Sequence, residues 1–244
     1  MKTRDHVGPL TEENGEVITD DVRTAKVLND YFSSVFTLEQ LHNIPQPNRM
    51  FDGPNDDMLR DVEVTAENVL KVLMKLKPGK APRVDEIYAV VLREVSGVIA
   101  EPLSQIFQKS LAEGVVPLDW RRANVTPIFK KGKRSVSANY RPISLTAQVS
   151  KVIETILRDA IMEHLTAHRL ISDSQHGFLE ASCLTNLLTF LELVTKTVDD
   201  GNPVDAVYLD FSKAFNRVPH QRLLTKLRSH GIGESTAAWI EAWL

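Results

Sequence analysis

The stretch "TAQVSKVIETILRDAIMEHLTAH", residues 146–168, constrains the fold more than any other. Its apolar residues Val149, Val152, Ile153, Ile156, Leu157, Ala160, Ile161 and Leu165 recur at the 3.6-residue period of an α-helix and fall on one face. A stripe that wide has to be covered by other elements, so the spacing predicts a helix packed into a core. Other segments carry the same period. "TAENVLKVLMKL" starts at the N-cap-like Thr65 and puts Val69, Leu70, Val72, Leu73 and Leu76 at helical spacing. "VDEIYAVVLREV" and "VIAEPLSQIFQKSLAEG" read as two helices, the second closing at Gly114. Further helices are expected near residues 184–198, 220–229 and 234–244, and at the front in "DDVRTAKVLNDYFSSVF", with Val22, Ala25, Val27, Leu28, Phe32 and Phe36 as its apolar positions.

Between the helices the period changes. "RRANVTPIFKKGKRSVSANYRPISL" reads as two short strands joined by a basic turn containing Gly and Ser. "VDAVYLD" is expected to continue a strand over residues 203–210, with Val204, Ala206, Tyr208 and Asp210 on one side and Asp205, Val207 and Leu209 on the other. The segment "TLEQLHNIPQPNRMFDGPNDD", rich in Pro, Asn and Asp, reads as an irregular linker. It places a boundary near residue 62, between an acidic extension (1–62) and the remainder (63–244). The last helix runs to Leu244 with nothing resembling a C-cap, so the chain is expected to be cut there.

Charge narrows the partners. Residues 1–62 hold twelve Asp or Glu against six Lys or Arg, whereas no acidic residue lies between Asp119 and Glu154. That interval contains Arg121, Arg122, Lys130, Lys131, Lys133, Arg134, Arg141 and Lys151. Surfaces normally mix signs, and a one-sign block points to a polyanion. A hairpin would bring Lys130 and Lys131 on one arm near Arg141 on the other, where Arg grips phosphate bidentately and Lys acts as a point charge. A solvated hairpin tip is the alternative, and it suits Lys133 and Arg134 well.

Asp210 also has two readings. "VYLDFSKAF" sets it where a strand ends, followed by a turn whose backbone N–H groups would cradle phosphate oxygens, an arrangement that suits Mg²⁺. The same position suits a turn former or a helix cap. Several chemistries are not supported. Ser212 lacks a His–Asp pattern, and His176 lacks a second ligand at metal spacing. The single cysteine, Cys183, excludes an internal disulfide, reads as a small buried hydrophobe, and suits a reducing, intracellular setting. Trp120, Trp239 and Trp243 read as core or interface residues. The start lacks a secretory apolar core, and no apolar run reaches the roughly 18 residues of a membrane span.

Taken in order, these stretches resemble the reverse transcriptase region of non-LTR retrotransposons, especially the CR1/jockey-like group. "KPGKAPRVDEI" resembles the segment preceding the fingers, "VPLDWRRANVTPIFKKGKRSVSANYRPISL" the fingers hairpin, "SDSQHGF" with "SCLTNLL" the next block, and "VDAVYLDFSKAFNRVPH" the first palm block. "KTRDHVGPL" with "VLNDYFSSVFT" is similar to the segment that precedes the polymerase part. The resemblance implies an α+β fold: the fingers and partial palm of a right-hand polymerase, helix-rich with short antiparallel strands. It implies that Asp210 is the first metal-binding palm aspartate and that Phe211 offers a backbone carbonyl to the metal. Lys213 and Ala214 would offer amides to a triphosphate, and Phe215 would exclude a ribose 2′-OH. Lys130, Lys131 and Arg141 would contact the incoming nucleotide, with Arg121, Arg122, Lys133 and Arg134 on nucleic acid.

The implied chemistry is two-metal nucleotidyl transfer with Mg²⁺, an RNA template, a DNA primer and deoxynucleoside triphosphates. The sequence departs from the family pattern as well. Glu234 and Glu241 are the only acids after Asp210, so the second palm block with its paired aspartates is missing. Arg83 stands where the family has glycine, "GFLEASC" lacks the usual basic and glycine residues, and Asn216 replaces a common aspartate. One carboxylate is a poor cage for two ions about 4 Å apart. The expectation is weak or absent metal binding and no polymerisation by this chain alone. Two other readings stay open: a non-catalytic nucleic-acid-binding or scaffolding module, and a decayed pseudogene product that folds poorly.

Overall fold

Helix packing builds this protein, and its sheets are minor: 52% of the structure is helical, with two small antiparallel sheets. The computed structural model describes residues 7–12, 15–79, 84–179 and 182–244. Arg83 and the side chain of Cys183, both singled out above, lie outside the described residues, as does part of "GFLEASC".

The chain opens with a small hairpin, β1 (Leu10–Thr11) and β2 (Val17–Ile18), followed by α1 (Asp21–Ser34). The Asp20 side chain accepts a hydrogen bond from Arg23 N–H at 2.8 Å and caps α1. Only Leu28 and Phe32 are buried in α1, while Val22 and Phe36, apolar positions of the same sequence pattern, are exposed. After an irregular stretch come α2 (Ala66–Met74), α3 (Ala89–Glu94) and α4 (Ser96–Glu113). Thr65 caps α2 through Asn68 N–H at 3.1 Å, and Gly114 closes α4 in the left-handed region at φ 62°. The α3 helix is shorter than the spacing predicts. Asp85 lies before it and uses its carboxylate elsewhere, accepting from Ile87 N–H at 3.2 Å and Gln148 N–H at 3.1 Å.

The short α5 (Leu118–Arg121) leads into β3 (Ala123–Phe129), which pairs antiparallel with β4 (Tyr140–Thr146) from Ala123↔Thr146 to Phe129↔Tyr140. Then come α6 (Gln148–Ala167), α7 (Ser182–Asp199), α8 (His220–Ser229) and α9 (Glu234–Trp243). The main core lies between α2, α4, α6 and α9. Val69, Leu73, Phe107, Val152, Ile153 and Trp239 meet there. Trp239 donates its indole N–H to Ser110 Oγ at 2.8 Å, and Ser110 donates in turn to the Val115 carbonyl at 2.6 Å. The buried indole therefore keeps a partner, as a buried polar group must. Trp120 meets Phe107 edge-on, and Trp243 packs partly buried against the same cluster, in keeping with the sequence reading.

A smaller cluster joins Leu10, Leu28, Phe32 and Tyr140, with Tyr31 and Phe129 against it. This cluster seats α1 on the β3–β4 hairpin.

The stretch read as a linker is irregular, but it is not loose. Met50 and Phe51 N–H groups donate to the Ser229 carbonyl at 2.9 and 3.0 Å, and Leu59 makes a single parallel bridge to Ile232. Phe51 is fully buried against His164 and His168, and the His164 Nε2–H donates to the His230 carbonyl at 2.8 Å.

The strand expected over residues 203–210 is absent. These residues form no strand, and all of them are exposed. A strand exists by exchanging backbone hydrogen bonds with a neighbour, and among the described residues no strand runs alongside this one. No described helix is long and apolar enough to cross a membrane.

Candidate nucleotide and nucleic-acid site

The hairpin is the better-formed half of the site. Its ladder pairs Ile128 with Arg141, and the Lys130 N–H donates to the Asn139 carbonyl at 2.8 Å, extending the pairing by one step. Residues two apart share a face, so Lys130 and Arg141 stand diagonally on the same side of the hairpin. Lys131 lies in the turn. All three are exposed.

The turn itself is organised by its neutral residues. Gly132 adopts φ 90°, and an added Cβ there would meet Asn139 Nδ2 at 2.7 Å. That Asn139 amide donates to the Lys133 carbonyl at 2.9 Å, and Tyr140 Oη donates to the Arg134 carbonyl at 2.7 Å. The Arg134 guanidinium folds back over the Phe129 ring, 4.8 Å from its centroid. Arg134 therefore belongs to the turn's own packing, whereas Lys133 projects outward as an exposed charge.

Arg121 and Arg122 stand elsewhere. Both precede β3 and are exposed, and Arg122 lies 3.8 Å from Asp119 in an exposed pair. A seven-residue strand separates them from Lys130, which at the usual rise is about 23 Å. They extend the basic surface along the hairpin and do not join the cluster at its tip.

The second half of the site follows Asp210. Phe211 and Phe215 are 82% and 78% exposed, so neither ring is packed as a core residue. Residues 212–214 form a turn, and Phe215–Arg217 a single 3-10 turn. Lys213 is left-handed at φ 56° and Ala214 is helical at φ −46° and ψ −50°. Alternating handedness of this kind turns successive N–H groups toward one side, the geometry of an anion cradle. The Lys213 ammonium does not point into that cradle. It reaches the hydroxyl of Tyr31 on α1 and sits 4.2 Å from the centroid of the same ring. Phe215 meets Phe178 edge-on at 5.9 Å, and Tyr208 lies 6.3 Å from Phe190 of α7.

A two-ion metal centre does not fit these residues. Asp210 is a single exposed carboxylate on an unpaired segment. Among the described residues no three His, Cys, Asp or Glu side chains converge. His176, half-buried, lies 3.4 Å from Thr185 Oγ1 and has no place in the site.

Two anchoring residues escape the sequence reading. By sequence Tyr31 is only a member of the first helix, and Glu39 only one acid of an irregular linker. Glu39 is 10% exposed at its side chain, and its two carboxylate oxygens accept from Gln221 and Arg222 N–H groups at 2.9 and 3.1 Å. It caps α8, whose N-cap position, Pro219, provides no side-chain cap of its own. A clue is present: α8 opens "PHQRL" with no acidic or hydroxyl residue at its start, so a cap has to come from elsewhere.

Residues 128–244 match the family described as "Reverse transcriptase (RNA-dependent DNA polymerase)". The chain is 25% identical over 225 residues to "Probable RNA-directed DNA polymerase from transposon BS" of Drosophila melanogaster, covering 90% of this chain and 25% of that relative. It is 26% identical over 225 residues, with the same coverage of both chains, to the corresponding protein of transposon X-element from the same species. To "RNA-directed DNA polymerase from mobile element jockey" of Drosophila funebris it is 30% identical over 168 residues, 68% of this chain and 18% of the relative. The chain thus spans about a quarter or less of the length of these relatives. It matches the reverse transcriptase domain of non-LTR retrotransposons.

Proposed function

We propose that the chain is the nucleotide-gripping portion of an RNA-directed DNA polymerase: fingers, and the first part of the palm, over residues 63–244, preceded by an acidic extension over 1–62. One observation carries this reading. The match to the reverse transcriptase family description spans residues 128–244, from the first arm of the basic hairpin through the Asp210 turn, so both halves of the candidate site fall inside it.

In this reading Lys130 and Arg141 hold the phosphates of an incoming deoxynucleoside triphosphate from one face of the hairpin, with Lys131 beside them. The N–H groups of Lys213 and Ala214 turn toward the same phosphates. The Phe215 ring stands where a ribose 2′-hydroxyl would collide with it. Arg121, Arg122, Lys133 and Arg134 follow the backbone of an RNA template and DNA primer, a contact set by charge and shape. Asp210 and the Phe211 carbonyl are the groups offered to a divalent ion, Mg²⁺ in this reading. One exposed carboxylate does not hold a pair of ions, so we assign no chemical step to this chain alone.

The test is primer extension on an RNA template by the purified chain, beside a binding measurement on the same RNA. The expected result is no extension, with binding that weakens steeply as salt rises. Sustained extension overturns the first part, and binding indifferent to salt overturns the second. A second reading, a nucleic-acid-binding module without chemistry, is favoured by the exposed cations of the hairpin beside a lone Asp210. Uptake of a fluorescent deoxynucleotide that is lost on Arg141→Ala separates the two, because a pure nucleic-acid binder takes up none.

A further inference from the structure

The N-terminal segment touches both halves of the candidate site, although it lies outside the matched residues 128–244. On one side, Leu28 and Phe32 of α1 pack with Tyr140 at the tip end of the hairpin, and Tyr31 and Phe129 join the same cluster. On the other, the Tyr31 hydroxyl and ring hold the Lys213 ammonium, three residues beyond Asp210. The contacts then continue in step along the chain. Thr37 Oγ1 donates to the Arg217 carbonyl at 3.0 Å, and Glu39 caps α8 through Gln221 and Arg222 N–H groups.

We propose that Tyr31 and Glu39 are positioning residues: α1 is the spacer that sets the basic hairpin against the Asp210–Phe215 turn. This rests on the functional reading above in treating those two elements as one site. The physical case is that neither element is fixed to the other by a sheet. Among the described residues β3 pairs only with β4, and residues 203–210 pair with no strand. Left to themselves, the hairpin cations and the turn would have no common frame. Tyr31 supplies one because it sits on the helix whose Leu28 and Phe32 pack with Tyr140 of the hairpin, while its own ring and hydroxyl hold a lysine of the turn. Lys213 is already constrained at φ 56°, so holding its side chain also holds the backbone whose N–H groups form the cradle. Glu39 fixes the far end of the same turn, where the N–H groups of α8 would otherwise be left to water.

The experiment reads the spacing directly and needs no nucleotide. In the full chain with Cys183→Ala, the substitutions Ala138→Cys on the hairpin and Ser212→Cys on the turn, both at exposed positions, carry nitroxide labels. Pulsed EPR gives their distance distribution. The expected result is a narrow distribution that Tyr31→Leu and Lys213→Met each widen about twofold or more, because a residue released from its contacts samples more conformers. Tyr31→Phe keeps the ring face and should largely restore the narrow distribution, with the thermal midpoint of all variants close to the parent. Glu39→Ala should speed hydrogen exchange at the Gln221 and Arg222 amides about fivefold, as loss of a helix cap does.

A distribution already broad in the parent, or unchanged widths in both Tyr31→Leu and Lys213→Met, overturns the proposal. Should Tyr31→Leu fail to fold, Lys213→Met carries the test alone, because its side chain is exposed and no core depends on it. Nucleotide uptake is scored separately. Widening without any uptake keeps the spacer and refutes the nucleotide reading, while uptake with unchanged widths refutes the spacer alone.

Discussion

α6 and α7 are both long helices with an apolar face, yet they live in opposite surroundings. None of the eight residues assigned to the α6 stripe is exposed, and Val152 and Ile153 are wholly buried. In α7, Leu193 is 65% exposed and Leu184 62%, with Leu187, Leu188 and Leu191 exposed beside them. The difference lies in what stands opposite. α6 packs against α2 within the main core, while the leucines named on α7 stay exposed and its Phe190 meets Tyr208 of the unpaired segment 203–210. Burying a leucine is worth about 1.5–3 kcal/mol relative to leaving it in water. α6 collects that gain several times over, and α7 hardly at all. Amphipathic spacing thus identifies a helix and its apolar face without saying whether a neighbour is present.

The sharpest way to break this contrast is in the core that α6 shares. Phe107→Ala should destabilise the chain by about 3–5 kcal/mol, since it leaves a cavity where Phe107, Trp120 and Trp239 meet. Trp239→Phe should cost less than that cavity and still register, because it strands Ser110 Oγ without its indole donor. Urea unfolding followed by circular dichroism measures both. A loss below about 1 kcal/mol for Phe107→Ala would mean that the four helices do not form one cooperative core.

The β regions repeat the lesson, and the charges make it measurable. β3 and β4 are legible because each is the other's partner across a ten-residue connection containing Gly132. Residues 203–210 also read as a strand and form none, because placing side chains on alternate faces leaves pairing open. Replacing Lys130, Lys131, Lys133 and Arg141 together by Gln should lower RNA affinity about 10–100-fold at moderate salt and cut the salt slope by roughly 3, near 0.7 per contact. The same number of neutralising substitutions among the Asp and Glu residues of the 1–62 segment should raise affinity slightly or leave it alone. Equal losses from both would show that binding does not use the hairpin.

Caps mark where the sequence is informative and where it is silent. Thr65 is readable because its partner, Asn68, is three residues away, the local distance at which caps act. Asp85 on Gln148 and Glu39 on Gln221 and Arg222 are not, because 63 residues separate the first pair and 182 the second. Only the folded chain brings them together. The candidate site divides the same way: Asp210, Lys130 and Arg141 stand out by type and spacing, but Tyr31 gains its role solely from the approach of Lys213. Thr65→Ala should cost about 1 kcal/mol, and Asp85→Ala a similar amount or somewhat more, since it removes acceptors from Ile87 and Gln148 at once. Thermal unfolding distinguishes them from the core variants by their smaller shifts.

The smallest expected effect tests the contrast from its other side. Leu188→Lys with Leu191→Lys places two charges on the exposed face of α7, where a folded core would lose several kcal/mol. If α7 is as uncovered in solution as in the structure, the pair should move the unfolding free energy by no more than about 0.5 kcal/mol. It should at the same time reduce concentration-dependent light scattering, because an exposed apolar helix face is a surface on which chains collect. The identical substitution on α6, at Val152 and Ile153, should abolish cooperative unfolding. A large loss of stability from the α7 pair would mean that those leucines are covered in solution, and the two helices would then differ in partner and no longer in having one.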